Sequence, residues 1–477
     1  MYEMNDRPAP LPKARRLRWV RLVAAALLCG APVWSFASFD EAMARYTKKD
    51  FEPARVEFQR LAEIGEHRAQ FNLGVMYLHG ESVPKDLAQA YAWMALATQE
   101  SDKTWESARD TVYKNLSDTQ RAAADSGRQA LFNRLSDTAL AARIKPKLIH
   151  GPIEIAPPRR VTAINVETDY PDQMRRENTS GTAEVEFEID SEGAVRMEGV
   201  VWSSNIEFSR AAIEAVKKLR FDPARVNGKP IETIGLRQQF NFQIEGATPI
   251  SQTFERTLRN LRTKAQSGTP LDAYSYAQAL EGYASAAKVP SEFENPNIWY
   301  YRAATNDIPA ARIALGRNYL YGNGISADSA KGLDWIESAA DKGQSEAEFM
   351  LAEELLAGAR VEKNRDAARI WLQRAAEHGL SMARLKFAWL SVTDPDEKRR
   401  NPKLARDLVL QVPDGFIDTI SLMEARAAIA ACEGDYLDAQ SIQGDAIKEA
   451  RKYGRPEAAM NARLQAYLAR DPWIEND

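Results

Sequence analysis

Two rhythms of apolar residues divide this chain. Ala311, Leu315 and Tyr319 return every fourth position, the spacing of one helical face. Gly322 and Gly324 follow, and glycine accepts the left-handed conformation at which helices stop. A second helical stretch carries Trp335 and Ala339 on one face and closes at Gly343. The unit recurs every 36 residues: Trp299, Trp335 and Trp371 each precede an alanine pair, Ala303-Ala304, Ala339-Ala340 and Ala375-Ala376. Ala311, Ala347 and Ala383 keep the same period, as do Gly322 with Gly358 and Gly343 with Gly379. Small alanines let helices approach, and tryptophan fills the gap between hairpins. Stacked units of this kind bury one continuous core, so the pattern predicts an α/α solenoid.

Between about 161 and 246 the rhythm changes to alternation. Ala183, Val185, Phe187 and Ile189 are separated by Glu184, Glu186 and Glu188, which predicts a strand with one buried and one wet face. Asp190 to Gly193 is turn chemistry, and Val195 to Trp202 makes the returning strand. A helix over 207–219 turns Phe208, Ala212, Ala215, Val216 and Leu219 inward before Pro223 ends it. In the last strand Leu236, Phe240, Phe242 and Ile244 share one face, and Arg237, Gln239, Asn241 and Gln243 share the other. The order strand, strand, helix, strand predicts a small α+β domain.

The repeat register returns near the start in Ala69, Gly74, Tyr77, Gly80, Pro84, Asp86 and Trp93. With the units of 297–390, these residues resemble the Sel-like family of tetratricopeptide-related repeats. A looser hairpin of this type is expected over 427–453. Two units are fewer than the roughly three a stable stack needs, so helices over 103–143 are expected to cap the first pair. The middle segment resembles the TonB C-terminal domain. Tyr170-Pro171, Gly181 to Val185, Ile189 to Gly193, Phe221 to Ala224, Asn227 to Pro230 and Phe240 to Phe242 follow the family pattern in sequence. The predicted organisation is a leader over 1–37, repeats over 38–143, and a proline-containing linker over 144–160. The TonB-type domain over 161–246 follows, then repeats over 250–395 and a helical end over 396–477.

Lys13, Arg15, Arg16, Arg18 and Arg21 precede an apolar run from Leu22 to Trp34, and Ser35-Phe36-Ala37 offers the small residues of a cleavage site. Export with cleavage after Ala37 is expected. The stretch from Val23 to Ala37 is shorter than the roughly 20 residues that span a bilayer, and Pro32 interrupts it. Cleavage removes Cys29, and Cys432 alone cannot make an internal disulfide. A formal charge of −4 gives no basic footprint for nucleic acid.

Chemistry-bearing constellations do not emerge. His67, His79, His150 and His378 lie in separate segments, no phosphate loop or nucleophile elbow is present, and neither metal nor cofactor is implied. What the TonB resemblance implies is protein recognition in the envelope, by adding an extended partner segment as a strand to a sheet edge. The candidate contact residues are Tyr170, Pro171, Arg237, Gln239, Asn241 and Gln243. Three readings follow: a periplasmic adaptor without catalytic activity, a membrane-anchored TonB-type transducer, and a periplasmic enzyme whose site no motif reveals. An outer-membrane receptor segment and an inner-membrane motor complex are the partner types the resemblance implies.

Overall fold

A computed structural model describes residues 37–99, 102–162, 170–244, 250–286, 289–413 and 419–475. The expected leader and its cut therefore lie outside the described residues, apart from Ala37. No helix among the described residues is long and apolar enough to cross a membrane.

The first block opens with four helices, α1 (Ala37–Thr47), α2 (Phe51–Glu63), α3 (His67–His79) and α4 (Leu87–Ala97). Phe58, Leu61, Leu73, Met76 and Trp93 form their core. Gly80 ends α3 at φ 77°, and the Asp86 carboxylate caps α4 by accepting the Ala88 and Gln89 amides. Helices α5 (Lys103–Lys114) and α6 (Asp118–Leu135) pack on α4, and α7 (Asp137–Ile144) ends the block.

The C-terminal block is a stack of antiparallel helices. It runs through α10 (Ile250–Ser267), α11 (Pro270–Ala286), α12 (Pro296–Ala304), α13 (Pro309–Tyr321) and α14 (Ser329–Ala340). Helices α15 (Ser345–Ala357), α16 (Arg365–Glu377) and α17 (Ser381–Thr393) complete the periodic part. Four more extend it: α18 (Pro402–Leu410), α19 (Thr419–Cys432), α20 (Tyr436–Lys452) and α21 (Ala458–Leu468). The repeat signature is visible as packing. Ala311, Ala347 and Ala383 are fully buried, while Gly322 and Gly358 end α13 and α15 with φ of 73° and 58°. Helices α13 and α14 touch where Gly316 meets Gly332. A Cβ added to Gly332 would sit 2.7 Å from Leu320 Cδ2 and 3.0 Å from the Gly316 carbonyl oxygen.

Between the blocks lies a three-stranded antiparallel sheet of β3 (Gly181–Ile189), β4 (Val195–Ser203) and β8 (Thr233–Phe242), in the order β4-β3-β8. Helix α9 (Ile206–Lys217) covers one face, where Phe208, Ala212 and Val216 meet Val185, Phe187, Phe240 and Phe242. Short strands β1 (Ile155–Ala156) and β2 (Arg159–Arg160) pair with β6 (Arg225–Val226) and β5 (Phe221–Asp222). Strand β7 (Lys229–Pro230) pairs with β6.

The segment before the sheet differs from a free linker. Leu148 bridges Val361, Ile149 donates its amide to the Arg360 carbonyl at 3.0 Å, and the Lys147 carbonyl accepts from Glu362 at 2.7 Å. The sequence left open whether the repeat blocks meet. They do. Trp371 donates its indole N–H to the Ile144 carbonyl at 3.0 Å, Arg374 donates to Ile64 at 2.8 Å, and Arg60 pairs with Glu377. Trp371 thus ties the last helix of the first block to the second, a role the 36-residue period does not reveal.

Candidate protein interface

The second face of the sheet is where sequence expectation and structure part. Glu184, Glu186, Glu188, Arg237 and Gln239 were expected to be wet, but they lie against the C-terminal solenoid. Alternate helices α11, α13, α15, α17 and α19 supply the opposing side chains. Arg317 of α13 donates to the Gly235 carbonyl at 2.6 Å and to Glu281 of α11 at 2.9 Å. Lys386 of α17 lies 3.3 Å from both Glu232 and Glu353. Arg196 of β4 reaches Ser421 and Glu424 of α19, each at 3.1 Å. The reason is complementarity between polar surfaces far apart in sequence, which alternation within one strand cannot report.

Carboxyl groups outnumber cations at this seam, and burial raises the proton affinity of several of them. Burial pushes Glu188 well above its ordinary range, with Glu353 and Glu232 adding repulsion. Burial likewise raises Glu184 and Glu346, and it pushes Glu353 up to about 8. Lys386 holds Glu232 below the usual value. Burial opposes ionisation of Glu281, but Arg317, the Tyr300 hydroxyl and Arg237 overcome it and keep that carboxylate low.

Residues 166–244 match the family model of the Gram-negative TonB protein C-terminal domain, and 67–102, 309–344 and 345–380 match the Sel1 repeat. The chain carries a TonB C-terminal domain among Sel1 repeats. It is 32% identical over 127 residues to the uncharacterized protein NMB1327 of Neisseria meningitidis serogroup B; the aligned part is 27% of this chain and 25% of that protein. The chain therefore spans about a quarter of that relative's length. Solved structures of repeat proteins are similar, two of them as follows. One is c5321, a protective antigen of uropathogenic Escherichia coli displaying an SLR fold, with 17% identity and a TM-score of 0.37 over 91% of this chain and 80% of that one. The other is a Sel1 repeat protein of Oxalobacter formigenes, with 22% identity and a TM-score of 0.28 over 48% and 82%.

The residues singled out in the TonB-type domain fall into three environments. Tyr170 is a clamp on the apolar core. Its hydroxyl donates to the Thr179 carbonyl at 2.7 Å, and its ring stands edge-on to Phe208 and Phe242 at about 6 Å. Pro171 begins the short helix α8 (Asp172–Arg176). Arg237 pairs with Glu186 at 2.7 Å. Gln239 is only 7% exposed, and it donates to Asn241 at 2.8 Å. Asn241 is half-buried, whereas Gln243, just past the strand, is exposed. The wet face expected from alternation is thus corrected: α11 and α13 cover most of it.

Strand β4 forms the other edge of the sheet. Val200, Val201 and Trp202 stand 40%, 43% and 41% exposed. Register shifts opposite Glu184–Val185 and Glu186–Glu188 put two bulges into β4, and Met197 takes φ 53°. A consecutive Val-Val-Trp was the available signal, because alternation should have hidden one of the three.

His67 and His378 both line a cavity of about 670 Å³ at the junction of the repeat blocks. Each faces a carboxylate: His67 Nε2 lies 2.9 Å from Asp137, and His378 Nδ1 lies 2.7 Å from Glu348. Among the described residues no cluster of His, Cys, Asp and Glu has the arrangement of a metal site.

Proposed function

We propose that this protein is a periplasmic adaptor without catalytic activity, which binds envelope proteins through its TonB-type domain and its helical-repeat surfaces. The observation that carries the reading is the clasp. The solenoid's alternate helices hold the polar face of the sheet through Arg317, Lys386 and Arg196, so domain and repeats form one binding platform. Both matched domain types are interaction modules. A peptide added to β8 beside Arg237, Gln239, Asn241 and Gln243, with Tyr170 and Pro171 nearby, requires the sheet to move off α11 and α13 first. Pairing at β8 is therefore a property of an opened state.

Intact mass from cell envelopes, combined with alkaline carbonate extraction, tests the localisation. A chain lacking residues 1–37 and released by carbonate supports the adaptor. Full-length protein retained in the membrane overturns it in favour of the anchored transducer. Proline at Gln239 or Asn241 removes an edge amide, so crosslinking of an envelope partner that survives either substitution excludes pairing at β8.

A further inference from the structure

Where the sheet meets the start of α17, a cavity of about 310 Å³ opens beside β4. Its walls include Met197, Val200, Leu380 and Met382, and Glu186 and Glu188 stand at its polar side. Glu188 is 7% exposed, and its Oε1 atom has no hydrogen-bond partner among the described residues. A buried acceptor left in this way is costly, and the neighbouring cations pair with other carboxylates. Lys386 lies between Glu232 and Glu353, Arg196 pairs with Glu424 and lies 3.6 Å from Asp190, and Arg237 holds Glu186. The exposed strip of Val200, Val201 and Trp202 runs alongside.

We propose that this pocket binds the lysine or arginine side chain of an extended partner segment whose flanking apolar residues lie on Val200, Val201 and Trp202. The inference rests on the adaptor reading and names the edge and the chemistry it uses. Charge complementarity decides the occupant: a seam with surplus carboxyls and an acceptor lacking a donor takes a cation. The cavity is large enough for a butylammonium or propylguanidinium stem, and its methionine and leucine walls suit the methylenes of such a stem. The two bulges of β4 interrupt the run of outward amides, so main-chain pairing there is short and side-chain capture carries the selectivity. Burial, with Glu353 and Glu232 adding repulsion, raises the proton affinity of Glu188, so a basic segment binds more tightly as rising pH ionises that carboxyl. The groups that set this dependence are Glu353, Glu232, Lys386 and Arg196, the charges that face Glu188.

The test uses a heptapeptide library displayed on phage, selected on the chain from residue 38 onward. Enriched peptides are expected to share one Lys or Arg flanked by apolar residues. A synthetic copy should lose at least tenfold in affinity on Glu188→Gln and on Val200→Asp, with helical circular dichroism unchanged. Its affinity for the parent protein should increase with pH. Peptides without a basic preference, or with affinity unmoved by both substitutions, overturn the assignment. If the enriched peptides instead respond to Gln239→Pro alone, the adaptor reading stands and this pocket does not. If nothing is enriched, both are overturned.

Discussion

The two faces of the β4-β3-β8 sheet are both buried, by opposite means. Toward α9, Val185, Phe187, Phe208, Phe240 and Phe242 exclude water by apolar contact alone. Toward the solenoid, Glu184, Glu188, Arg237 and Gln239 are covered by Arg317, Lys386 and other charged side chains. Burying apolar area is favourable in proportion to area and needs little orientation. A charged seam is different: it holds only where partners sit at hydrogen-bond distance, and removing one partner strands another. The first face makes the domain. The second attaches it, and because it is polar and holds buried carboxyls of raised proton affinity it is the face that conditions can loosen.

The sharpest way to separate these roles is to damage each face alone. Phe242→Ala should cost about 3–5 kcal/mol and unfold the sheet domain, with loss of exchange protection in β3 and β8. Arg317→Ala should cost roughly 2–3 kcal/mol, because it removes the 2.9 Å partner of half-buried Glu281 and leaves only Arg237 and the Tyr300 hydroxyl to hold that carboxylate. Protection should then fall at the contact of β8 with α11 and α13 while β3 stays protected. Equal losses in β3 for both variants would erase the distinction.

Acidity should act on the polar face in a defined direction. The folded chain holds Glu353 at about 8, above its ordinary value of 4.5, so the seam gains stability from that proton below about pH 4.5. The gain is lost as pH rises toward 8, by up to about 1.4 kcal/mol per pH unit for one such group. Glu188, Glu184 and Glu346 shift in the same direction, whereas Glu232 is already ionised across this window. The urea midpoint should fall between pH 5 and pH 8, and Glu353→Gln should flatten the slope. A midpoint that rises over that range would refute the raised proton affinity of these carboxyls.

Within the repeats the comparison tests geometry. Gly332→Ala places a methyl 3.0 Å from the Gly316 carbonyl oxygen and should cost about 1–3 kcal/mol in thermal or urea melts. The smallest effect belongs to His378. Burial works to lower it, but Glu348 prevails and raises its proton affinity, so the pair stabilises below about pH 6.5 and fades as pH climbs above the folded value. His378→Gln should cost about 1 kcal/mol or less at pH 6 and nearly nothing at pH 9. A loss that grows with pH would contradict that sign.

Local periodicity by itself determined much of this protein. The spacing of Trp299, Trp335 and Trp371, the paired alanines and the stop glycines specified helix hairpins, and alternation in 182–189 and 236–244 specified strands. Motifs from Tyr170 to Phe242 were enough to place the TonB resemblance. All of these signals act within one element or between neighbouring ones, where helix and strand geometry fixes which positions share a face. Only the tertiary structure decided what covers the polar face of the sheet, that Tyr170 is a core clamp, that 145–160 is stitched to Val361 and Arg360, and that Trp371 and Arg374 join the repeat blocks. Those contacts link residues from tens to hundreds of positions apart. A glutamate on a strand has the same local signature whether it meets water or the arginine of a distant helix, and only the assembled fold tells them apart.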